Sequence, residues 1–243
     1  MAARLRVLEQ AWSDALDRAA ALERRWTVLY SGGLDSSLVV SGLRERATVD
    51  LVTVGLPGSA DLRAGETGAR WFNLPWHGRV VSPADVQGVA SKDSALLDSA
   101  RPASRAVLIG LALGLEASSA ASVACGQGAD ELFLGYAHFE GLDDAETTRR
   151  RNADLDALVG EDWPRSVELA RRRSRRLVSP FLDPEFSTLV RSLPIRELRG
   201  GPRRKELLRQ LGESMGLPDE IVNRPKKAFQ YGSGIDRALR RRD

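Results

Sequence analysis

One cysteine, Cys125, stands in a chain of 243 residues, which excludes a disulfide and any Cys-based zinc or iron–sulfur site within one chain. Histidine is almost as scarce. His77 and His138 are isolated, neither has a metal-ligand partner four residues on, and ordinary polar roles are expected for both. No apolar run approaches the ~20 residues of a membrane span, and Arg, Glu and Asp interrupt the Ala-rich N-terminus where a signal peptide would be uniformly apolar. No membrane partner is expected, and the chain reads as cytoplasmic. Internal repeats and low-complexity linkers are also missing. What is present, 42% hydrophobic and 28% charged residues, suits a globular unit with room for a full α/β core.

Net charge is only +3, but it is unevenly placed. From Arg149 onward there are 23 Lys/Arg against 14 Asp/Glu, and before it 13 against 19. The runs Arg149 to Arg151, Arg171 to Arg176 and Arg240 to Arg242 suit either solvated helix faces or contact with an acidic substrate or nucleic acid. Aromatic side chains do not interleave with these runs, which weakens a stacking platform for single strands.

The most informative stretch is Trp26 to Val40, WTVLYSGGLDSSLVV. An apolar, β-branched run breaks at Ser31-Gly32-Gly33 and resumes at Leu34, which reads strand, tight turn, helix. Adjacent glycines let backbone N–H groups face one point where a helix N-terminus adds partial positive charge, and together these make an anion cradle. Ser31, Ser36 and Ser37 are candidate hydroxyl donors. Asp35 is a poor neighbour for phosphate unless it holds a Mg²⁺ that the phosphates share; its alternative role is a plain N-cap. The spacing is not that of the Walker loop, which ends in Gly-Lys-Ser/Thr.

Residues 3–25 carry apolar positions at helical spacing and predict an amphipathic scaffold helix. Beyond the loop, strands are expected at Val49 to Val54, Trp76 to Val81 and Ala121 to Ala124. Helices are expected at Asp61 to Phe72, Ser82 to Ala90 and Ala103 to Ala117. That alternation implies a doubly wound parallel α/β sheet, whose ligands lie beyond the carboxyl ends of the strands. The fourth strand opens onto Cys125-Gly126-Gln127-Gly128-Ala129-Asp130-Glu131. Asp130 and Glu131 either stabilise a helix N-terminus or bring Asp130 to face Asp35 across one Mg²⁺-pyrophosphate. Downstream, Ala145 to Val159 and Asp162 to Leu177 read as helices separated by Gly160 and Trp163-Pro164. Glu185 to Ser192 and Pro202 to Met215 read as further helices. The chain is thus expected to be one unit, with a leading helix (1–25), an α/β core (26–140) and a helical C-terminal part (141–243).

The Ser-Gly-Gly-x-Asp-Ser loop resembles that of the N-type ATP pyrophosphatases, the adenine nucleotide α-hydrolase type of fold. Ser-Gly-Gly-Leu-Asp-Ser-Ser together with Gly-x-Gly-Ala-Asp-Glu-Leu-Phe-x-Gly-Tyr is similar to the synthetase domain of the asparagine synthetase family, which includes β-lactam synthetase. Pro180-Phe181-Leu182-Asp183, Ser192-Leu193-Pro194 and Arg224-Pro225-Lys226-Lys227-Ala228-Phe229 match later landmarks in order, so the resemblance runs from about Val28 to about Gly234. It implies ATP and Mg²⁺ as cofactors, a carboxylate that is adenylated, and ammonia or an amine that displaces AMP. It further implies that Leu29, Val54 and Gly126 surround the adenosine, and that Ser31, Gly32, Gly33, Asp35 and Ser36 hold the phosphates. Asp35 and Asp130 would bind the metal, and Lys226 would neutralise charge on the adenylate and in acyl transfer. The alternative for Lys226 is a surface lysine in a basic tail.

Three departures qualify the resemblance. Gln127 stands where asparagine synthetases carry a glutamate assigned to the amine half-reaction; an amide can orient an amine but cannot act as a base. Cys125 replaces a serine, as a small buried residue or as a nucleophile. Arg176-Leu177-Val178-Ser179 differs from the family beside its acceptor pocket. Since the chain begins Met1-Ala2-Ala3 and is too short for a glutaminase domain, nitrogen is expected from ammonia, a separate glutaminase subunit or a substrate amine. Two other functions stay open, modification of tRNA or another macromolecule and nucleotide binding without turnover. A homo-oligomer is compatible with the sequence.

Overall fold

A computed structural model describes residues 2–201, 203–224 and 232–240. Five strands form one parallel sheet: β1 (Arg25–Leu29), β2 (Thr48–Gly55), β3 (Trp76–Val80), β4 (Ser122–Ala124) and β5 (Arg176–Val178), in the order β3-β2-β1-β4-β5. The chain runs outward from β1 to β3, returns to the other side of β1 for β4, and so reverses direction between β1 and β4. At such a reversal two strand-end loops diverge and leave a crevice at the carboxyl edge. The Ser31 and Gly126 loops are the pair that flank it.

Alternation along the buried strands sends successive side chains to opposite faces. Trp26, Val28 and Leu51 enter one core with α1 (Ala2–Ala20), α2 (Leu34–Leu43) and α3 (Ala60–Phe72). Val52, Val54 and Val123 enter the other with α4 (Pro83–Lys92), α5 (Ser94–Leu97) and α6 (Pro102–Ala117). Helices therefore cover both faces, as the doubly wound reading requires. The helices that follow β4, α7 (Ala129–Leu132), α8 (Asp144–Ala157) and α9 (Trp163–Arg172), precede β5. After β5 come α10 (Pro184–Ser192), α11 (Ile195–Arg199), α12 (Glu206–Ser214), α13 (Asp219–Val222) and α14 (Ile235–Arg240).

Three expectations for the C-terminal part are corrected. Gly160 and Trp163-Pro164 do not break a helix, because Leu158–Asp162 is a π-helical segment joining α8 directly to α9. Proline is tolerated at the start of α9, where its missing N–H is not needed. Arg176 to Val178 is the fifth strand, not the end of a helix; Leu177 pairs with Val123. Finally, α12 starts at Glu206 and not at Pro202, leaving Arg203, Arg204 and Lys205 outside it.

Several arginines of the Arg-rich stretches have partners within the chain. Arg171 and Arg172 pair with Glu168, Arg173 pairs with buried Asp93 and with Glu116, and Arg175 donates to Ser118 O. Arg151 is buried and donates to Arg191 O at the end of α10. These partners favour a structural use of the basic runs. Arg241 and Arg242 lie outside the described residues.

Asp183, part of a family landmark, earns its place structurally. Its Oδ1 accepts from the N–H groups of Glu185 and Phe186 at the start of α10, and Arg18 of α1 binds both its oxygens at 2.7 and 2.8 Å. Arg18 holds the carboxyl below its ordinary range, and the cap N–H groups add to that. Asp183→Ala is expected to lower unfolding free energy by about 1–2 kcal/mol in urea titrations. Because the folded-state pKa is depressed, the difference from wild type holds above the ordinary aspartate range. It closes as pH falls below that range and through the depressed value.

Candidate active site

The first loop is shaped by Gly32, whose φ of +70° places a hypothetical Cβ 2.5 Å from the Ala64 carbonyl carbon. No side chain fits there, and the left-handed backbone also selects glycine. Gly33 then occupies the N-cap of α2 in an extended conformation. Ser36 Oγ accepts from Ser31 N at 3.3 Å and donates to Gly33 O at 3.2 Å, which closes the turn. Two residues read as phosphate-facing or capping do something else. Ser37 is fully buried with its Oγ 3.1 Å from the Tyr30 hydroxyl, and Asp35 lies in the first turn of α2, so it is not the N-cap.

A cavity of about 430 Å³ opens between the two loops. Leu29, Val52, Val54, Leu111 and Gly114 form an apolar end, while Ser31, Asp35 and Ser36 border it at α2. Gly126, Gln127, Gly128 and Asp130 line the side formed by the loop after β4. Leu29, Val54 and Gly126, expected around the adenosine, all line the cavity. Gly32 and Gly33 are not among the residues that line the cavity and set the turn beside it.

The centre of the site is a residue that sequence reading missed. Lys205 is 5% exposed; its Nζ donates to both carboxylate oxygens of Asp35 at 2.6 Å and lies 2.6 Å from Asp130 Oδ1. Burial pushes the ammonium pKa down from the ordinary lysine value, and Asp35 opposes that shift. The residue has φ +58°, a strained left-handed conformation for a side-chain-bearing residue. Arg203, bound to Glu206 at 2.6 and 3.0 Å, and Arg204, bound to Glu140, brace the backbone on the N-terminal side. Gly135 gives the ammonium its room: a Cβ there would lie 2.0 Å from Asp130 Oδ1 and 2.4 Å from Lys205 Cε. In the sequence, Lys205 is hidden as the last member of a basic triplet before α12.

Asp35 and Asp130 therefore converge on one cation position, which the Lys205 ammonium occupies. Among the described residues no group of three or more His, Cys, Asp or Glu could hold an ion. A two-carboxylate site nevertheless fits Mg²⁺, which keeps waters and takes its remaining ligands from phosphates.

Beyond Asp130, Glu131 and Tyr136 line the far end of the cavity, the hydroxyl donating to Glu131 Oε1 at 2.7 Å. Burial pushes both acidic groups up, the tyrosine further because of its carboxylate neighbour. Asp154, paired with His138 at 2.7 Å, and Asp162, bound by Arg101 and Ser104, complete this end. Sequence reading gave these residues no site role. Gln127 also lines the cavity; its carbonyl accepts from Ser179 Oγ at 2.6 Å. Arg176 to Ser179 are not among the residues that line the cavity; Ser179 meets it indirectly, through its bond to the Gln127 carbonyl.

Lys226 and Lys227 lie outside the described residues. Of the described residues flanking that segment, Arg224 sits beside the first loop and Ser233 beside the turn after β2. Arg224 Nη1 donates to Ser31 O at 2.7 Å, its Nη2 is 3.5 Å from Asp61, and Ser233 O accepts from Leu56 N at 2.9 Å.

A parallel α/β sheet with a Ser-Gly-Gly loop and opposed carboxylates at its switch point defines an ATP pyrophosphatase-type domain. More narrowly, the chain belongs to the asparagine synthase family, whose model matches residues 7–179 and 153–242. A Methanocaldococcus jannaschii protein provisionally named a glutamine-hydrolysing asparagine synthetase is 29% identical over 251 residues, covering 87% of this chain and 46% of that protein. The glutamine-hydrolysing asparagine synthetase of Homo sapiens is 28% identical over 247 residues, covering 94% and 43%. The chain thus spans less than half the length of these relatives. Among solved structures, the U34-tRNA thiolase NcsA of Methanococcus maripaludis aligns at 11% identity and TM-score 0.36, over 98% of this chain and 81% of that one. At that TM-score the likeness carries no argument about activity.

Cys125 is buried, and desolvation raises its thiol to about 12. A thiol so protonated is a poor nucleophile, which favours the small-buried-residue reading. Iodoacetamide at mildly alkaline pH is expected to leave the native protein unlabelled and to modify Cys125 stoichiometrically in denaturant, as read by intact mass. Rapid labelling of the native protein would contradict this placement.

Proposed function

We propose that the chain uses ATP and Mg²⁺ to adenylate a carboxylate and then passes the acyl group to ammonia or an amine, releasing AMP and pyrophosphate. The observation that carries this reading is the convergence of Asp35 and Asp130 on one buried cation position beside the α2 N-terminus. Family membership supports the same chemistry.

In this reading the α2 N-terminus and the Ser31 and Ser36 hydroxyls hold the phosphates, where N–H groups and helix dipole favour negative charge. The apolar end at Leu29 and Val54 takes the adenine. Mg²⁺, held by Asp35 and Asp130, supplies charge neutralisation to the leaving pyrophosphate when bound. Lys205 would bring a second positive charge to the phosphates beside the metal, and Lys226 is proposed to follow charge onto the adenylate. The anchored flanks at Arg224 and Ser233 support that placement. Gln127 orients the incoming nitrogen by hydrogen bonding and takes no proton from it. The carboxylate acceptor occupies the end bordered by Tyr136 and Asp162.

Nitrogen is proposed to come from ammonia, a substrate amine or a separate glutaminase subunit. Gln127 also favours a second reading, a nucleotide-binding subunit without turnover. Pyrophosphate release measured across a panel of amino acids and other carboxylates, with and without ammonia, separates the two. Release dependent on one acid, with AMP as coproduct, is expected, and Asp35→Ala should lower it at least ~100-fold, the scale of one lost transition-state charge contact. ATP binding with no release for any acid or amine would contradict the ligase reading and leave the subunit reading.

A further inference from the structure

Lys205 occupies the place the metal would need. Mg²⁺ binds oxygens at about 2.0–2.1 Å, and the Lys205 ammonium already lies 2.6 Å from both Asp35 oxygens and from Asp130 Oδ1. Two cations cannot share that position: the second would lie within bonding distance of the first, where like charges repel strongly. Without any cation, Asp35 and Asp130 would face each other as like charges, at most twice 2.6 Å apart across Nζ.

We propose that Lys205 is an exchangeable cation of the nucleotide site: it neutralises Asp35 and Asp130 when the site is empty, excludes a divalent ion bound alone, and moves to the phosphates when nucleotide arrives. The inference rests on the ATP·Mg²⁺ reading above and adds to it an order of events. The exchange needs no backbone movement. Arg203 with Glu206 and Arg204 with Glu140 fix the chain on the N-terminal side of Lys205, and Arg209 N–H bonds back to Lys205 O at 2.9 Å. The four-carbon stem can swing while its origin stays in place. The direction of the swing is set by charge. Phosphates at the Ser31 loop offer the ammonium a replacement anion as the carboxylates receive the metal. Metal and nucleotide then bind as a coupled pair, and the coupling is reciprocal.

Mn²⁺ serves as the spectroscopic probe for the divalent ion. Free Mn²⁺ is titrated by electron paramagnetic resonance with the wild type, Lys205→Met and Lys205→Arg, without nucleotide and with pyrophosphate. Wild type and Lys205→Arg should bind Mn²⁺ weakly alone, and Lys205→Met should bind it at least about tenfold more tightly, a difference of about 1.4 kcal/mol. Pyrophosphate should strengthen Mn²⁺ binding more in wild type than in Lys205→Met, which has no ammonium at that position to displace. Melting curves give an independent reading: Lys205→Met should melt lower than wild type in chelator and recover with Mn²⁺, whereas wild type should not respond.

Equal Mn²⁺ affinity of wild type and Lys205→Met, or a Lys205→Met protein that Mn²⁺ does not stabilise, would overturn the exchange. Calorimetry of wild type with ATP and Mg²⁺ separates the two levels of the account. Binding there with no gain in Lys205→Met removes only the exchange. No binding of either ATP or pyrophosphate by wild type removes the nucleotide reading and the exchange with it.

Discussion

The arrangement depends on two carboxylates and one ammonium meeting where the sheet reverses direction. Asp35 follows β1 and Asp130 follows β4, so their approach is fixed by the pairing of those two strands, Trp26 to Ser122 through Val28 to Ala124. Lys205 comes from a segment 170 residues after Asp35. Burial of the Lys205 ammonium between two partly exposed carboxylates is costly in desolvation and rarely adds net stability. The persistence of the triad is better understood as a site held ready for a substrate that brings its own charge.

The remainder of the molecule keeps that meeting in register. On one face, Trp12 of α1 packs on Phe181 and Phe186 at ring distances of 4.5 and 5.0 Å, tying the leading helix to the segment after β5. The same segment delivers Ser179 to the Gln127 carbonyl. On the other face, α14 packs Ile235 and Ala238 into the α4–α6 core, returning the chain to the sheet beyond the segment that holds Lys226. Apolar packing thus fixes the loops from which the polar groups project, and the functional side chains have few positional choices of their own.

Local patterns that encode local structure were legible from the sequence. The Ser-Gly-Gly turn and the strand–helix alternation to β4 follow from glycine conformation and hydrophobic period; Asp35 and Asp130, expected to face each other across a metal, meet around the Lys205 ammonium. Where the reading failed, tertiary context had overridden those signals. Gly160 and Pro164 look like breakers, but a π-helical segment absorbs them. The strand Arg176 to Val178 is too short, and too flanked by arginine, to show a period of its own. Lys205 carries no local signal because its role arises from a contact 170 residues distant in sequence. The Glu131–Tyr136 pair and the Asp162 cluster were missed because helix and loop residues become cavity walls only after folding.

The central claim is that Asp35 and Asp130 hold a divalent ion shared with the phosphates of ATP. Pulsed electron paramagnetic resonance of Mn²⁺ bound with a non-hydrolysable ATP analogue tests it most directly. The account predicts phosphorus hyperfine coupling from the analogue on protein-bound Mn²⁺, and loss of that bound signal in both Asp35→Asn and Asp130→Asn. An unchanged bound signal in both variants would place the metal elsewhere and contradict the account.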